Sequence, residues 1–167
     1  MAKIQVSIVM GSDNDFDIMN ESRKILSHFG VESEVRILSA HRSPDLVAQY
    51  AKSLSKRGVQ VVIAGAGGAA HLAGVIAAHT TLPVIGVPIN ATSLNGFDSL
   101  LSIVQMPAGI PVATVAVGKA GAINAGILAA QILAIGSKAL QQKLLDHKKK
   151  CEESVEEKDK KIQKRVQ

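Results

Sequence analysis

His41 and Arg42 are neighbours in the stretch Ser39-Ala40-His41-Arg42-Ser43-Pro44-Asp45. Imidazole is the side chain whose charge changes near neutral pH, so it is a natural group for moving a proton. Guanidinium is a permanently charged, planar fork that suits a phosphate or a carboxylate. Upstream, Gly11-Ser12-Asp13-Asn14-Asp15 adds a neutral donor at Ser12 and an acceptor at Asp15 suited to sugar hydroxyls or a protonated ring substituent. Ser39 is a further neutral donor. Downstream, Val61 to Gly74 reads VVIAGAGGAAHLAG. Its glycines let a ligand approach the backbone. Consecutive amides at a helix start favour an anion or a developing negative charge.

Each feature also has a plain structural reading. Asp15 suits a helix N-cap, His41 a solvated loop, and Gly65-Ala66-Gly67-Gly68 a tight turn where sheet meets helix. Chemistry is favoured because all three stretches follow an apolar run and precede a helix-prone one. His71 sits one turn into the segment after the glycines, where it would line the site or make a structural hydrogen bond. His71 and His79 lie eight residues apart without nearby carboxylates, so no metal site is indicated. His79 reads as surface or interface. Lys119, beside Gly118 and Gly121, suits a neighbouring subunit's site or a salt bridge.

The nucleotide readings fail on spacing. Gly65-Ala66-Gly67-Gly68 lacks the third glycine of the dinucleotide fingerprint, and no Asp or Glu follows at the ribose-binding distance. No phosphate-binding Lys-Ser/Thr signature is present, so no cofactor is indicated.

Elements able to position these groups alternate along the chain. Residues 4–10 read as a buried strand, followed by a helix with Ile18, Met19, Ile25, Leu26 and Phe29 on one face and Gly30 as its stop. Residues 31–38 alternate apolar with charged, which suits an edge strand. Ser43 as N-cap, Pro44 at the first helical position and Asp45 at the positive dipole end then open a helix reaching Lys56-Arg57. Further strands are expected at 59–64, 82–87 and 110–117, with helices after each and a last helix from Ser137. Such alternation implies a three-layer α-β-α sandwich around a five-stranded parallel sheet in the flavodoxin-like order 2-1-3-4-5. In that order the loops after strands one, two and three meet at the switch point between strands one and three, where ligands bind.

Composition bounds the rest. A chain of 167 residues that is 47% hydrophobic fills one core, and with only 2% aromatics that core is small and aliphatic. We divide it into a single domain, 1–147, and a charged tail, 148–167, expected as frayed helix or disorder. Of the net charge of +5, residues 143–167 supply +3. Basicity is therefore mostly a mixed-sign tail, and with few aromatics for stacking, nucleic-acid binding is not indicated. Cys151 stands alone, excluding an internal disulfide. No secretory leader is visible, and a cytoplasmic location follows as the default. From Gly58 to Ser137 the only formal charges are Asp98 and Lys119. Prolines break that segment too often for a membrane span, so it reads as surface buried between subunits of a homo-oligomer.

Taken together, GSDND at 11–15, SAHRSP at 39–44, GAGGAAHL at 65–72, PVIGVP at 83–88 and DSLLSIVQMPAGIPVATVAVGKAGAINAG at 98–126 resemble the PurE family, the 5-(carboxyamino)imidazole ribonucleotide mutases of purine biosynthesis. The resemblance runs from residue 4 to about 145. It implies a flavodoxin-like octamer and a cofactor-free isomerisation that moves a carboxylate from the exocyclic nitrogen of an imidazole ribonucleotide to ring carbon 4. By motif, it implies Ser12 and Arg42 at the substrate phosphate, Asp15 at the ribose, and His41 as proton shuttle. Gly65, Ala66, Gly67 and Gly68 would lie against the base and the migrating carboxyl group. Ser39 and His71 complete the expected substrate-binding set. Arg42 fits the mutase class, since Lys is typical there in the enzymes that carboxylate aminoimidazole ribonucleotide directly with carbon dioxide. Ala73 in place of Pro, Asn14 in place of Ser and the loop 90–94 depart from the family pattern. Direct carboxylation and a non-catalytic flavodoxin-like binding module are the alternative functions.

Overall fold

The computed structural model describes residues 3–166. Strands β1 (Val6–Met10), β2 (Ser33–Ile37), β3 (Val61–Gly67), β4 (Val84–Ile89) and β5 (Ala113–Thr114) form an all-parallel sheet in the order β2-β1-β3-β4-β5. This is the order that the alternation of apolar and helical segments predicts. β1 and β4 are buried throughout, and β3 is buried up to Gly67, because helices cover both sheet faces. β2 lies at the edge, half-buried to exposed, as its charged alternation requires.

Helices α1 (Phe16–Phe29), α5 (Lys119–Ala134) and the start of α6 (Lys138–Val166) cover one face. There Val6, Ile8 and Met10 of β1 meet Met19, Leu26 and Phe29, with Ala122, Ala125 and Ala129 opposite. Helices α2 (Pro44–Ser53), α3 (Leu72–His79) and α4 (Phe97–Val104) cover the other face, where Val9 and Val62 meet Val47, Ala51, Leu72, Ile76 and Ile103. Alternation along β1 thus sends successive residues to opposite layers.

A core without large aromatics closes by bringing backbones together. A Cβ on Gly126 of α5 would stand 2.0 Å from Cγ2 of Ile25 and 3.0 Å from the carbonyl oxygen of Ser22. At the same contact the fully buried Ser22 hydroxyl donates to the Ala122 carbonyl at 2.6 Å, so the hydroxyl is buried without an open bond.

Several boundaries differ from expectation. β3 runs on to Gly67 because its ladder with β4 continues past the last β1 pair at Gly65, so Gly65 and Gly67 are strand residues rather than loop. β5 shrinks to two residues at the outer edge, although the Val115 and Gly118 amides still donate to β4 carbonyls at 3.1 and 2.8 Å. α2 ends at Ser53, and turns carry the chain to Gly58. Ser43 occupies the N-cap position of α2 as expected, but its hydroxyl bonds no helix amide; it donates to the Ser39 carbonyl at 3.0 Å and accepts the Ser39 amide at 3.3 Å, closing the loop between them. Pro44 occupies the first turn and Gly30 ends α1 at φ +74°, both as expected. α6 continues past His147 to Val166, with every described residue from Lys148 onward exposed. Ion pairs Lys149–Glu153 and Glu156–Lys160, at 3.9 and 3.8 Å along the helix, support that extension.

The α1–α5 contact generates a test. Ala favours helix over Gly, yet Gly126→Ala is expected to destabilise the protein by about 1–3 kcal/mol through overpacking. Thermal unfolding checks this, and a midpoint at or above wild type would exclude the close approach.

Candidate active site

The loops after β1, β2 and β3 meet in one crevice of about 210 Å³, lined by Gly11, Ser12, Asn14, Asp15, Ser39, Ala40, His41, Arg42, Ala66, Gly67, Ala69, His71, Leu72 and Ala91. It lies at the carboxyl ends of β1 and β3, the switch point of this strand order. A larger cavity of about 900 Å³ lies at the other end of the sheet, among Lys52, His79, Thr81, Pro83 and Ile110. We assign chemistry to the smaller one, because the converging donors and imidazoles are there.

The first loop is built by a reciprocal cap. Ser12 starts a 3-10 turn, Asp13–Asp15; its hydroxyl accepts the Asn14 amide at 3.3 Å, and Asp15 Oδ2 accepts the Ser12 amide at 3.1 Å. Asp15 is therefore both a cap and a crevice residue, only 6% exposed. Burial raises its carboxyl pKa above the ordinary 3.8, with the Asp13 charge adding to the rise and the Ser12 and Gly11 amides opposing it.

Arg42 bridges the first two loops. Its Nη2 donates to the Gly11 carbonyl at 3.1 Å and its Nε to Ser39 Oγ at 3.2 Å, while its backbone amide donates to the same Oγ at 3.2 Å. The Ser39 oxygen thus accepts twice from Arg42, and Ser39 lines the crevice. The guanidinium is held on two sides and keeps further N–H groups for an anion.

His41 Nε2 lies 2.8 Å from His71 Nδ1, with the rings edge to face at 4.9 Å between centroids. One nitrogen must carry the proton and the other accept it, so a proton on either ring fixes the tautomer of its neighbour. Both rings are exposed at the crevice mouth. His71 is not inside a helix: it is the residue before α3, which begins at Leu72. The amides of Ala70 and His71 are spent on a turn, bonding the Gly68 and Ala69 carbonyls at 2.9 and 2.8 Å. The glycines thus do not abut a helix N-terminus.

Of the residues expected at a site, His41, Ser12, Asp15, Ser39, Arg42, Ala66, Gly67 and His71 come together here, and Gly65 does not. Gly65 is a buried strand residue whose missing side chain makes room for Met19, since a Cβ there would stand 2.2 Å from its sulfur. Its carbonyl accepts the Gly11 amide at 3.2 Å, so it serves the site by holding the first loop. Gly67 lets the loop after β4 close in: a Cβ there would be 2.5 Å from that of Ala91. Ala91 carries no chemical signal of its own, and only the departure of the loop 90–94 from the family pattern points to it. Of the family departures, Asn14 and, within that loop, Ala91 line the crevice, and Ala73 is core, 1% exposed. Lys119 is 3.9 Å from Glu21 and His79 faces the far cavity, both outside the site.

Fold and crevice define a doubly wound α/β protein with an imidazole pair and a guanidinium fork at its switch point. The chain belongs to the AIR carboxylase family, whose model matches residues 5–154. It is 53% identical over 150 residues to the N5-carboxyaminoimidazole ribonucleotide mutase of Bacillus subtilis, covering 90% of this chain and 93% of the relative. To the mutase of the same name from Pyrococcus horikoshii it is 54% identical over 158 residues, 95% of this chain and 88% of the relative. Among solved structures, Treponema denticola PurE superposes with a TM-score of 0.84 at 27% identity, covering 95% of this chain and 98% of that one.

The buried carboxyl of Asp15 sets a pH test. Its folded pKa lies above the unfolded 3.8, so the folded state binds the proton more readily. Stability from this group is then present at low pH and lost as pH rises through the raised value. Asp15→Asn keeps an acceptor for the Ser12 amide without the charge. At neutral pH it is expected to be at least as stable as wild type, with the gap narrowing as pH falls into the carboxylate range. Denaturant unfolding at several pH values checks this; a variant clearly less stable at neutral pH would contradict it.

Proposed function

We propose that this protein is the isomerase that converts 5-(carboxyamino)imidazole ribonucleotide to 5-amino-1-(5-phosphoribosyl)imidazole-4-carboxylate in purine biosynthesis. The observation carrying this reading is the convergence of His41, His71 and Arg42 on one crevice in a chain more than half identical to named mutases. Arg42 and Ser12 hold the substrate phosphate, with the Ser39 hydroxyl donating beside them. Asp15 takes the ribose hydroxyls. Ala66 and Gly67 present a flat, side-chain-poor wall to the imidazole and its carboxyl group.

The chemistry closes on a single imidazole. Protonated His41 gives its proton to the exocyclic nitrogen, the nitrogen–carboxyl bond breaks, and carbon dioxide separates from the amine. Ring carbon 4 attacks carbon dioxide to form the new carbon–carbon bond, and neutral His41 removes the proton that carbon 4 must lose. Protons, electrons and carbon balance without an external oxidant, reductant or phosphate donor. Holding carbon dioxide beside ring carbon 4 is the site's main task, since escape wastes the substrate. His71 Nδ1 accepts the His41 Nε2–H, which holds His41 in the tautomer whose Nδ1 gives the proton and takes it back. Direct carboxylation of aminoimidazole ribonucleotide is the second reading, favoured by the description of the family model; Arg42 weighs against it.

Product formation from the carbamate ribonucleotide and, separately, from aminoimidazole ribonucleotide with bicarbonate distinguishes these, without ATP or added metal. Efficient use of the first alone is expected, and efficient use of the second would establish the carboxylase. His41→Asn is expected to lower kcat by about 10²-fold or more while substrate binding persists; near-wild-type turnover would remove the shuttle role.

The same reading includes a homo-oligomer, an octamer by family resemblance. Its support is the apolar face of α4, where Phe97, Leu101 and Val104 are 63%, 41% and 48% exposed in a segment almost free of charge. Phe97→Asp with Leu101→Asp is expected to give a smaller particle in sedimentation equilibrium, and an unchanged mass would move the interface elsewhere.

A further inference from the structure

The outer part of α6 carries a pattern that the crevice does not use. Leu144, Cys151, Val155 and Ile162 are spaced seven, four and seven apart, which puts them on one line of a helix. Leu144 packs on the domain core, and the line then continues outward with Val155 65% and Ile162 51% exposed, ending near Val166 at 73%. The residues around it are charged. Charge is also divided along the axis. Residues 151–158 hold Glu152, Glu153, Glu156, Glu157 and Lys158; residues 159–166 hold Asp159, Lys160, Lys161, Lys164 and Arg165. The two halves therefore carry net charges of −3 and +3.

The division is a sign-inverting palindrome about the 158/159 bond. Read outward, Lys158 matches Asp159, Glu157 matches Lys160, Glu156 matches Lys161, Glu153 matches Lys164 and Glu152 matches Arg165. Val155 matches Ile162, and Cys151 matches Val166. A helix standing alone gains from acid near its start and base near its end. It gains nothing from aligning its apolar residues or from mirroring their positions.

We propose that residues 151–166 form an antiparallel, two-fold helix pair with the same segment of a second copy of this chain. Antiparallel packing sets each acidic half on a basic half at about 8–10 Å between axes, within the range where charges are not fully screened. A parallel pair would stack like on like. The same register puts Val155 of one chain against Ile162 of the other and buries the exposed line from both sides. It also holds the two native Cys151 thiols about 22 Å apart, too far for a disulfide.

The full-length chain tests this on a Cys151→Ser background. Val155→Cys and Ile162→Cys together lie about 10 Å apart along one helix, beyond disulfide reach within a chain. Mild oxidation of this double variant is expected to give a covalent dimer on a denaturing, non-reducing gel. Either single variant is expected to stay unlinked, as is the native chain with its Cys151. Adding Glu156→Lys and Glu157→Lys to the double variant is expected to abolish linking, and further adding Lys160→Glu and Lys161→Glu to restore it. An unlinked double variant, single variants that link as fast as the double, a Cys151-linked native dimer, or linking indifferent to the charge changes would each overturn the antiparallel pair.

Discussion

Parallel pairing of β1 with both β2 and β3 is the constraint on which the crevice depends. Because β1 is flanked on each side, the chain leaves the sheet at three neighbouring carboxyl ends, and the loops after them have nowhere to go but together. Hydrogen bonds then lock the rim: the Gly11 amide to the Gly65 carbonyl, the Leu38 amide to the Met10 carbonyl, and the Arg42 guanidinium to the Gly11 carbonyl. Arg42 is thus a brace between the first two loops. A charged fork whose position is already fixed by two loops loses less entropy when an anion arrives than one held only by its own stem.

That rim exists only because the interior tolerates very short distances. Gly65 admits Met19 under the central strand, and Gly126 admits α1 against α5. A core with 2% aromatics cannot fill space with rings, so it brings backbones close and fills with alanine, valine and isoleucine. The polar network at the β2 edge works the same way on the other face. The buried Ser7 hydroxyl meets Tyr50 at 2.7 Å, and Tyr50 donates to Glu34 at 2.5 Å while Arg57 pairs with that carboxylate. Burial and the Glu34 partner both raise the Tyr50 pKa, so the phenol stays protonated as a donor and seats α2, the helix that follows His41 and Arg42.

Much of this was legible in the residues. Alternating apolar and helical segments imply a parallel sheet, five strands suit the order seen, and in that order the loops carrying His41, Arg42, Ser12, Asp15 and Ser39 meet. Periodicity said less about lengths. β3 outruns its expected end because its ladder with β4 continues through glycines that look like loop, and β5 contracts because an edge strand has one neighbour to hold it. Gly65 was assigned to ligand approach when packing explains it, since a glycine's reason for being small depends on what stands opposite. The His41–His71 bond was invisible at a separation of 30 residues; each histidine could be singled out, but not their pairing.

Charge tells a second story at the far end of the chain. The domain avoids charge from Gly58 to Ser137, and the tail concentrates it, so the two depart from an ordinary protein surface in opposite senses. Where apolar side chains stand exposed on α4, surrounding charge is nearly absent, and nothing in the pattern selects an orientation. Where they stand exposed on α6, the charges around them are ordered by sign along the axis. Hydrophobic contact rewards association without regard to direction, whereas opposed charge is what sets register and excludes wrong partners. The apolar face of α4 therefore carries no directional signal, whereas the α6 line does.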